Sequence, residues 1–165
     1  MEQPLVSVVT VTRNRGNLLR RCICSVLGQT YTNLEHIVVD GASDDNTDEV
    51  INSFADRRLK YTKLDTNWPI KETLDYGISL CKGKYITFLD SDDEYVQEKI
   101  EKQVKLIESL PDDYGFVYCW MTYYDENTKE VLRIHKTELR GDVAEEVISV
   151  PNLSGTPTLM FREHV

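Results

Sequence analysis

The run Tyr85-Ile86-Thr87-Phe88-Leu89-Asp90-Ser91-Asp92-Asp93 decides how the chain is read. Five mostly apolar, β-forming residues lead directly into three carboxylates. The apolar part does not alternate cleanly with polar residues, which is the pattern of a strand buried on both faces. The carboxylates then fall where the strand ends, and in open α/β sheets ligands bind beyond the carboxyl ends of the strands. Clustered acids raise one another's pKa unless a cation is present. A hard divalent ion with oxygen ligands, Mg²⁺ or Mn²⁺, relieves that repulsion and bridges to substrate phosphates. The same residues also suit a solvated acidic turn in which Asp92 or Asp93 caps a helix from Glu94 onward.

Working outward, strand and helix patterns alternate. Leu5 to Thr12 is a β-rich run, and Asn17 is placed to cap a helix through Leu27 that turns Leu18, Leu19, Cys22, Ile23 and Val26 inward. Glu35 to Val39 is a second strand landing on Asp40, followed by a helix capped by Asp45 or Asn46. A third strand spans Leu59 to Leu64. After the turn Asn67-Trp68-Pro69, a helix from Ile70 to Leu80 has Ile70, Leu74, Ile78 and Cys81 in register, with Gly83 as its stop signal. Beyond the acids, a long helix from Val96 to Leu110 turns Val96, Ile100, Val104 and Ile107 inward. Glu98 with Lys102 and Glu101 with Lys105 then pair along its outer face. Gly115 to Tyr123 reads as a strand, Val131 to His135 as a hairpin partner and Thr158 to Phe161 as a last strand. The pattern predicts an α/β fold, a Rossmann-like, mostly parallel sheet flanked by helices in a single domain over 1–165.

One regularity points to function. The first strand ends in Thr12-Arg13-Asn14, the second in Asp40 and the later one in Asp90-Ser91-Asp92-Asp93, so all three polar clusters fall on one edge of a parallel sheet. An acid at a strand end can accept a hydrogen bond from a nucleobase or ribose, while a later acid cluster holds a metal and a diphosphate. Neither a G-x-G-x-x-G nor a G-x-x-x-x-G-K-[ST] loop is present, against a dinucleotide dehydrogenase and a P-loop enzyme.

The bulk properties narrow the class. At 165 residues, 41% hydrophobic and 28% charged, the chain is of globular composition. A formal charge of -9 argues against nucleic acid or an anionic membrane as the main partner. Cys22, Cys24, Cys81 and Cys119 are expected to be reduced thiols in or near the core, which fits a cytoplasmic protein. No apolar run approaches the ~20 residues of a membrane span. The expectation is a soluble chain, with peripheral contact to the inner membrane face left open.

Four segments taken in order resemble family 2 glycosyltransferases of the GT-A fold. They are Val6 to Arg15, Ser25 to Tyr31, Ile37 to Thr47 with its Val38-Val39-Asp40-Gly41 core, and Gly83 to Asp93. The resemblance implies transfer of a sugar from a nucleoside-diphosphate donor, most often a UDP-sugar, with Mn²⁺ or Mg²⁺, to an acceptor such as a glycan or lipid-linked sugar. Asp90-Ser91-Asp92 matches the family's D-x-D motif, with Asp92 as metal ligand and Asp90 facing the ribose or the metal shell. Asp40 matches the acid that reads the nucleobase, and Thr10, Thr12 and Asn14 the loop around the base. Glu72 and Asp75 match positions of donor contacts, and equally suit an exposed helix face.

Two departures accompany the resemblance. Where the family often has two consecutive acids this chain has Asp40-Gly41. Inverting members also use a carboxylate general base in the acceptor half. Asp125, Glu126 and His135 are more simply surface residues, so the base is expected beyond Val165 and the acceptor half is expected to be truncated or short. A nucleotide-sugar-binding module without transfer is the alternative. A phosphoryl enzyme using Asp90 and Asp92 lacks an acid nucleophile at the end of the first strand.

Overall fold

In the computed structural model, which describes residues 3–143 and 155–163, a six-stranded sheet runs through the molecule. Its strands are β1 (Val6–Thr12), β2 (Leu34–Asp40), β3 (Leu59–Lys63), β4 (Tyr85–Phe88), β5 (Phe116–Tyr118) and β8 (Leu159–Arg162), in the order β3-β2-β1-β4-β8-β5. The first four are mutually parallel, and β8 is antiparallel to both β4 and β5. β6 (Met121–Tyr124) and β7 (Val131–His135) form a separate antiparallel pair. The sequence predicts one strand from Gly115 to Tyr123. The chain instead leaves the main sheet after Tyr118, and the hairpin partner at Val131–His135 pairs with the second piece.

Alternation along the strands sorts the helices into two layers. Val6, Val8, Leu34 and Val38 share a cluster with Leu19, Cys22, Ile23 and Val26 of α1 (Gly16–Leu27), Ile51 of α2 (Thr47–Asn52) and Ile100, Val104 and Ile107 of α4 (Lys99–Glu108). Ile37, Val39 and Leu64 face the other way, under Tyr76 of α3 (Ile70–Ser79) and the Leu80 and Cys81 that follow it. α3 approaches closely because Gly77 has no side chain. A Cβ there would lie 2.7 Å from Val9 Cγ1 and 3.3 Å from Val39 Cγ2.

The far edge of the sheet, at the amino ends of its parallel strands, is tied by polar groups. Ser7 donates to Glu35 Oε1 at 2.7 Å, and the Lys82 and Gly83 amides donate to Glu35 and Ser7 at 2.8 and 2.9 Å. A Cβ on Gly83 would sit 2.6 Å from the Ser7 amide nitrogen. Gly83 is thus required by close backbone approach to β1, not as a left-handed helix cap, and α3 ends earlier, at Ser79.

Several local expectations give way to tertiary contacts. Asn17 lies inside α1, and the cap comes from another loop, where the Gly16 amide donates to Asp45 Oδ2 at 3.0 Å. Asp45 Oδ1 also accepts from the Thr47 amide at 3.0 Å, starting α2. Neither Asp92 nor Asp93 caps a helix, because α4 begins only at Lys99. Val96, expected inside, is 76% exposed, and Ile70 is 71% exposed, α3 burying Thr73 and Gly77 instead. Glu98 pairs with Lys102 at 2.5 Å, but Glu101 accepts from Thr30 Oγ1 at 2.6 Å. Of the four thiols Cys22 is buried, Cys81 and Cys119 are half-buried and Cys24 is exposed, so Cys24 departs from the core reading.

Lys99 takes the inward position that Val96 vacates. Its ammonium lies 2.9 Å from Thr87 Oγ1 and 3.8 Å from the centre of the Tyr95 ring. Burial pushes its pKa down from 10.5 to about 7, with Cys119 acting weakly the other way. Between those pH values the unfolded chain carries a proton that the folded chain has released, so this group's contribution to stability rises with pH. Lys99→Met removes it. The unfolding free energy of wild type relative to that variant should rise as the pH goes from 7 to 10.5, read by denaturant titration at several pH values. A pH-independent difference would contradict it.

Candidate functional site

The parallel register brings the strand ends level. Thr12 is opposite Asp40, Asp40 is opposite Lys63, and Val9 is opposite Phe88, so the loops after β1, β2 and β4 open on one edge, as the sequence predicts. Between this edge and the start of α3 lies a cleft of about 540 Å³. That volume is in the ordinary range for small-molecule sites. Its floor is Val9, Val11 and Phe88, one wall is Thr73 and Leu74 of α3, and Thr156 reaches it from the 3-10 turn Thr156–Thr158.

The acid-rich end carries Asp90 and the buried Ser91, both on the cleft wall. The Asp93 amide donates to the Asp90 carbonyl at 2.9 Å, so the segment turns back on itself. Burial, then the neighbouring Asp92, raises the Asp90 pKa, and burial with both neighbours raises that of Asp93. Asp92 is held by Arg15, Nη1 to Oδ2 at 2.9 Å, across side chains 48% and 44% exposed. Among the described residues no group of three or more His, Cys, Asp or Glu side chains is placed to hold a metal ion. The donor set still fits one: Asp90, whose pKa is raised by burial and by Asp92, and the half-exposed Asp92, shared with a guanidinium, are hard carboxylates that suit a cation taking its remaining ligands from water and phosphate.

At the other end, Asn14 clamps two loops together. In a left-handed conformation (φ 52°), it donates its amide to Ser43 Oγ at 2.8 Å and accepts from the Asp44 amide at 2.9 Å. Thr12 lines the cleft, and its buried Oγ1 has no hydrogen-bond partner among the described residues. Thr10 instead points into the α1 side, 2.9 Å from His36 Nε2, so it supports the strand from behind. Burial holds that imidazole far below its usual pKa, at about 3, and therefore neutral.

Asp40 is fully buried and turned to the same side as Val38. Its Oδ1 accepts from the Ser43 amide at 2.9 Å and the Ser43 hydroxyl at 2.5 Å, and its Oδ2 lies 2.7 Å from the Tyr61 hydroxyl. Tyr61 is also 2.7 Å from Asp48, so one proton serves two carboxylates, and Lys63 at 2.5 Å from Asp48 offsets the excess charge. Gly41, not Asp40, lines the cleft. Glu72 and Asp75 are exposed on α3, Asp75 paired with Lys71 at 2.5 Å, while their neighbours Thr73 and Leu74 make the wall. Asp125 binds its own turn, accepting from the Asn127 and Thr128 amides, Glu126 pairs with Arg21 at 2.7 Å, and His135 is half-buried opposite Met121.

Sequence reasoning missed four cleft residues: Arg13, Arg15, Asn67 and Trp68. The arginines stood in the quoted motif without a role, though two guanidiniums beside an acid cluster are what a diphosphate site needs. The sequence pattern marks Asn67 and Trp68 only as a turn. Trp68 packs edge-on to Tyr76, with ring centres 5.8 Å apart, which fixes that turn over α3.

Comparison with known proteins gives the architecture its class. The chain superimposes on S. aureus TarS 1-349 in complex with UDP with a TM-score of 0.71 at 21% identity, covering 96% of this chain and 46% of that one. It superimposes on the mannosyltransferase PcManGT from Pyrobaculum calidifontis, in complex with GDP-Man and Mn²⁺, with a TM-score of 0.70 at 18% identity, covering 98% and 45%. At these identities the likeness establishes the fold, which is that of GT-A glycosyltransferases. The chain belongs to glycosyl transferase family 2, whose profile matches residues 7–165. An uncharacterized glycosyltransferase of Rickettsia typhi is 36% identical over 125 residues, 76% of this chain and 39% of the relative, so the chain spans well under half of that protein's length.

Proposed function

We propose that this chain forms the donor-binding part of an inverting glycosyltransferase that uses a UDP-sugar and a divalent metal. The acceptor we propose is a hydroxyl of a glycan or a lipid-linked sugar. The observation that carries the reading is one cleft at the carboxyl edge of the sheet that joins Asp90 and the Asp92–Arg15 pair to Arg13 and Thr12. The bound UDP, UDP-GlcNAc and GDP-Man of the structural neighbours support a nucleotide sugar as ligand.

In this reading Asp92 and Asp90 hold Mn²⁺ or Mg²⁺, which when bound neutralises the diphosphate and the nucleotide leaving group. Arg15 and Arg13 supply fixed positive charge along the diphosphate, Arg15 leaving Asp92 as it does so. Ser91 and Thr12 line the ribose side. Asn14 and Asp40 set the loops around the base, Asp40 through Ser43 and Tyr61. Glu72 and Asp75, on the exposed face of α3, are proposed to meet the donor only at its outer end.

The test is calorimetric titration with UDP, GDP and dTDP, each with and without Mn²⁺. UDP binding strengthened by Mn²⁺ is expected. No nucleotide binding, or binding indifferent to metal, would overturn the reading. No helix among the described residues is long and apolar enough to cross a membrane.

A further inference from the structure

We infer that Asn67 is the side chain that reads the nucleobase. The inference rests on the donor reading above and deepens it. Strand alternation leaves the base end of the cleft without a carboxylate. Asp40 falls on the far side of β2 with both oxygens engaged, and the next residue, which does face the cleft, is Gly41.

The space a side chain at 41 would enter is bounded by Asn67. A Cβ on Gly41 would lie 3.2 Å from Asn67 Oδ1, 3.7 Å from the Thr12 carbonyl and 3.8 Å from Arg13 Cβ. The amide therefore stands where a longer residue at position 41 would project. Asn67 is exposed to the cleft, and its side chain makes no hydrogen bond among the described residues.

The chemistry of the amide suits the edge of a base. A carboxamide offers one acceptor and two donors. The imide edge of uracil presents an N–H flanked by two carbonyls, so the amide oxygen takes the N–H and the amide nitrogen donates to a carbonyl. Guanine presents the same pair, a carbonyl beside an N–H, with an amino group next to it; a carboxylate accepts from the N–H and the amino group together, whereas a carboxamide leaves the amino group unmet.

The experiment compares UDP, GDP and inorganic pyrophosphate, each with Mn²⁺, on wild type, Asn67→Ala and Asn67→Asp. Pyrophosphate reads the metal and arginine end alone. Asn67→Ala is expected to weaken UDP about tenfold with pyrophosphate unchanged. Asn67→Asp is expected to move the UDP-to-GDP ratio toward GDP. UDP affinity unchanged in Asn67→Ala, or UDP and pyrophosphate weakened equally, overturns the assignment while leaving the donor site standing. Wild type that binds pyrophosphate but neither nucleotide overturns the assignment and confines the failure to the base end. Wild type that binds none of the three overturns the donor reading and this inference with it.

Discussion

Replacing Asp92 with Asn is expected to remove the Mn²⁺-dependent part of UDP affinity, a loss of about 100-fold or more, while the protein stays folded. The magnitude follows from the position: changes to groups that merely support metal ligands already cost ~10–100-fold. Folding should survive because the partner of Asp92 is Arg15, at 2.9 Å, in a pair about half exposed on both sides. Such pairs contribute only ~0–1 kcal/mol. Arg15→Gln is the informative companion. It frees Asp92 from its internal cation, so Mn²⁺ alone should bind no more weakly than to wild type, whereas UDP with Mn²⁺ should bind more weakly for want of the guanidinium. Titration of Mn²⁺ and of UDP into both variants reads these effects separately. Undiminished metal-dependent affinity in Asp92→Asn would remove this residue from the site.

The second large effect is on stability and lies at the opposite edge. Gly83→Ala is expected to destabilise the fold by about 3 kcal/mol, at the upper end of the ordinary cost of overpacking. The added methyl meets backbone, the Ser7 nitrogen at 2.6 Å and the Leu5 carbonyl oxygen at 2.8 Å, and backbone within a paired strand cannot step aside as a long side chain can. Displacing the turn also weakens the Lys82 and Gly83 amide bonds to Glu35 and Ser7. Nucleotide affinity under folding conditions should be little changed, since these groups lie at the amino ends of the strands and the cleft at the carboxyl ends. Urea denaturation measures the first claim and titration the second. A melting profile like that of wild type would contradict the packing argument.

The parts of this molecule legible in the sequence are those where one residue pattern has one physical solution. The β-rich runs of β1 and β2 are buried along nearly their whole length and lie parallel, and the acids after β4 fall on the shared edge with Thr12 and Asn14. The errors occur where a partner distant in sequence decides. Asp45, not the local Asn17, caps α1. Gly77 fixes which face of α3 is inward, so Thr73 is buried and Ile70 is not. Lys99, a residue that composition rules assign to the surface, is buried with Thr87 and Tyr95 as partners. At the site, the strand-end acids were legible as a set. The period-2 alternation that turns Asp40 away and Gly41 toward the cleft depends on where β2 ends, and strand ends are the least certain feature of a sequence reading.

The place of β8 in the sheet has a consequence for biosynthesis. β4 pairs with β1 on one side, but its other neighbour is a strand about seventy residues later in the chain. At ~5–20 residues per second, a nascent chain holds β4 for several seconds before that neighbour exists. During that time Tyr85, Ile86 and Phe88 lie beside an unpaired row of backbone amides and carbonyls, a ready template for another chain. The same late segment carries Thr156, part of the cleft wall. The ribosome must therefore deliver residues 155–162 before the molecule can either close its sheet or complete its binding cleft.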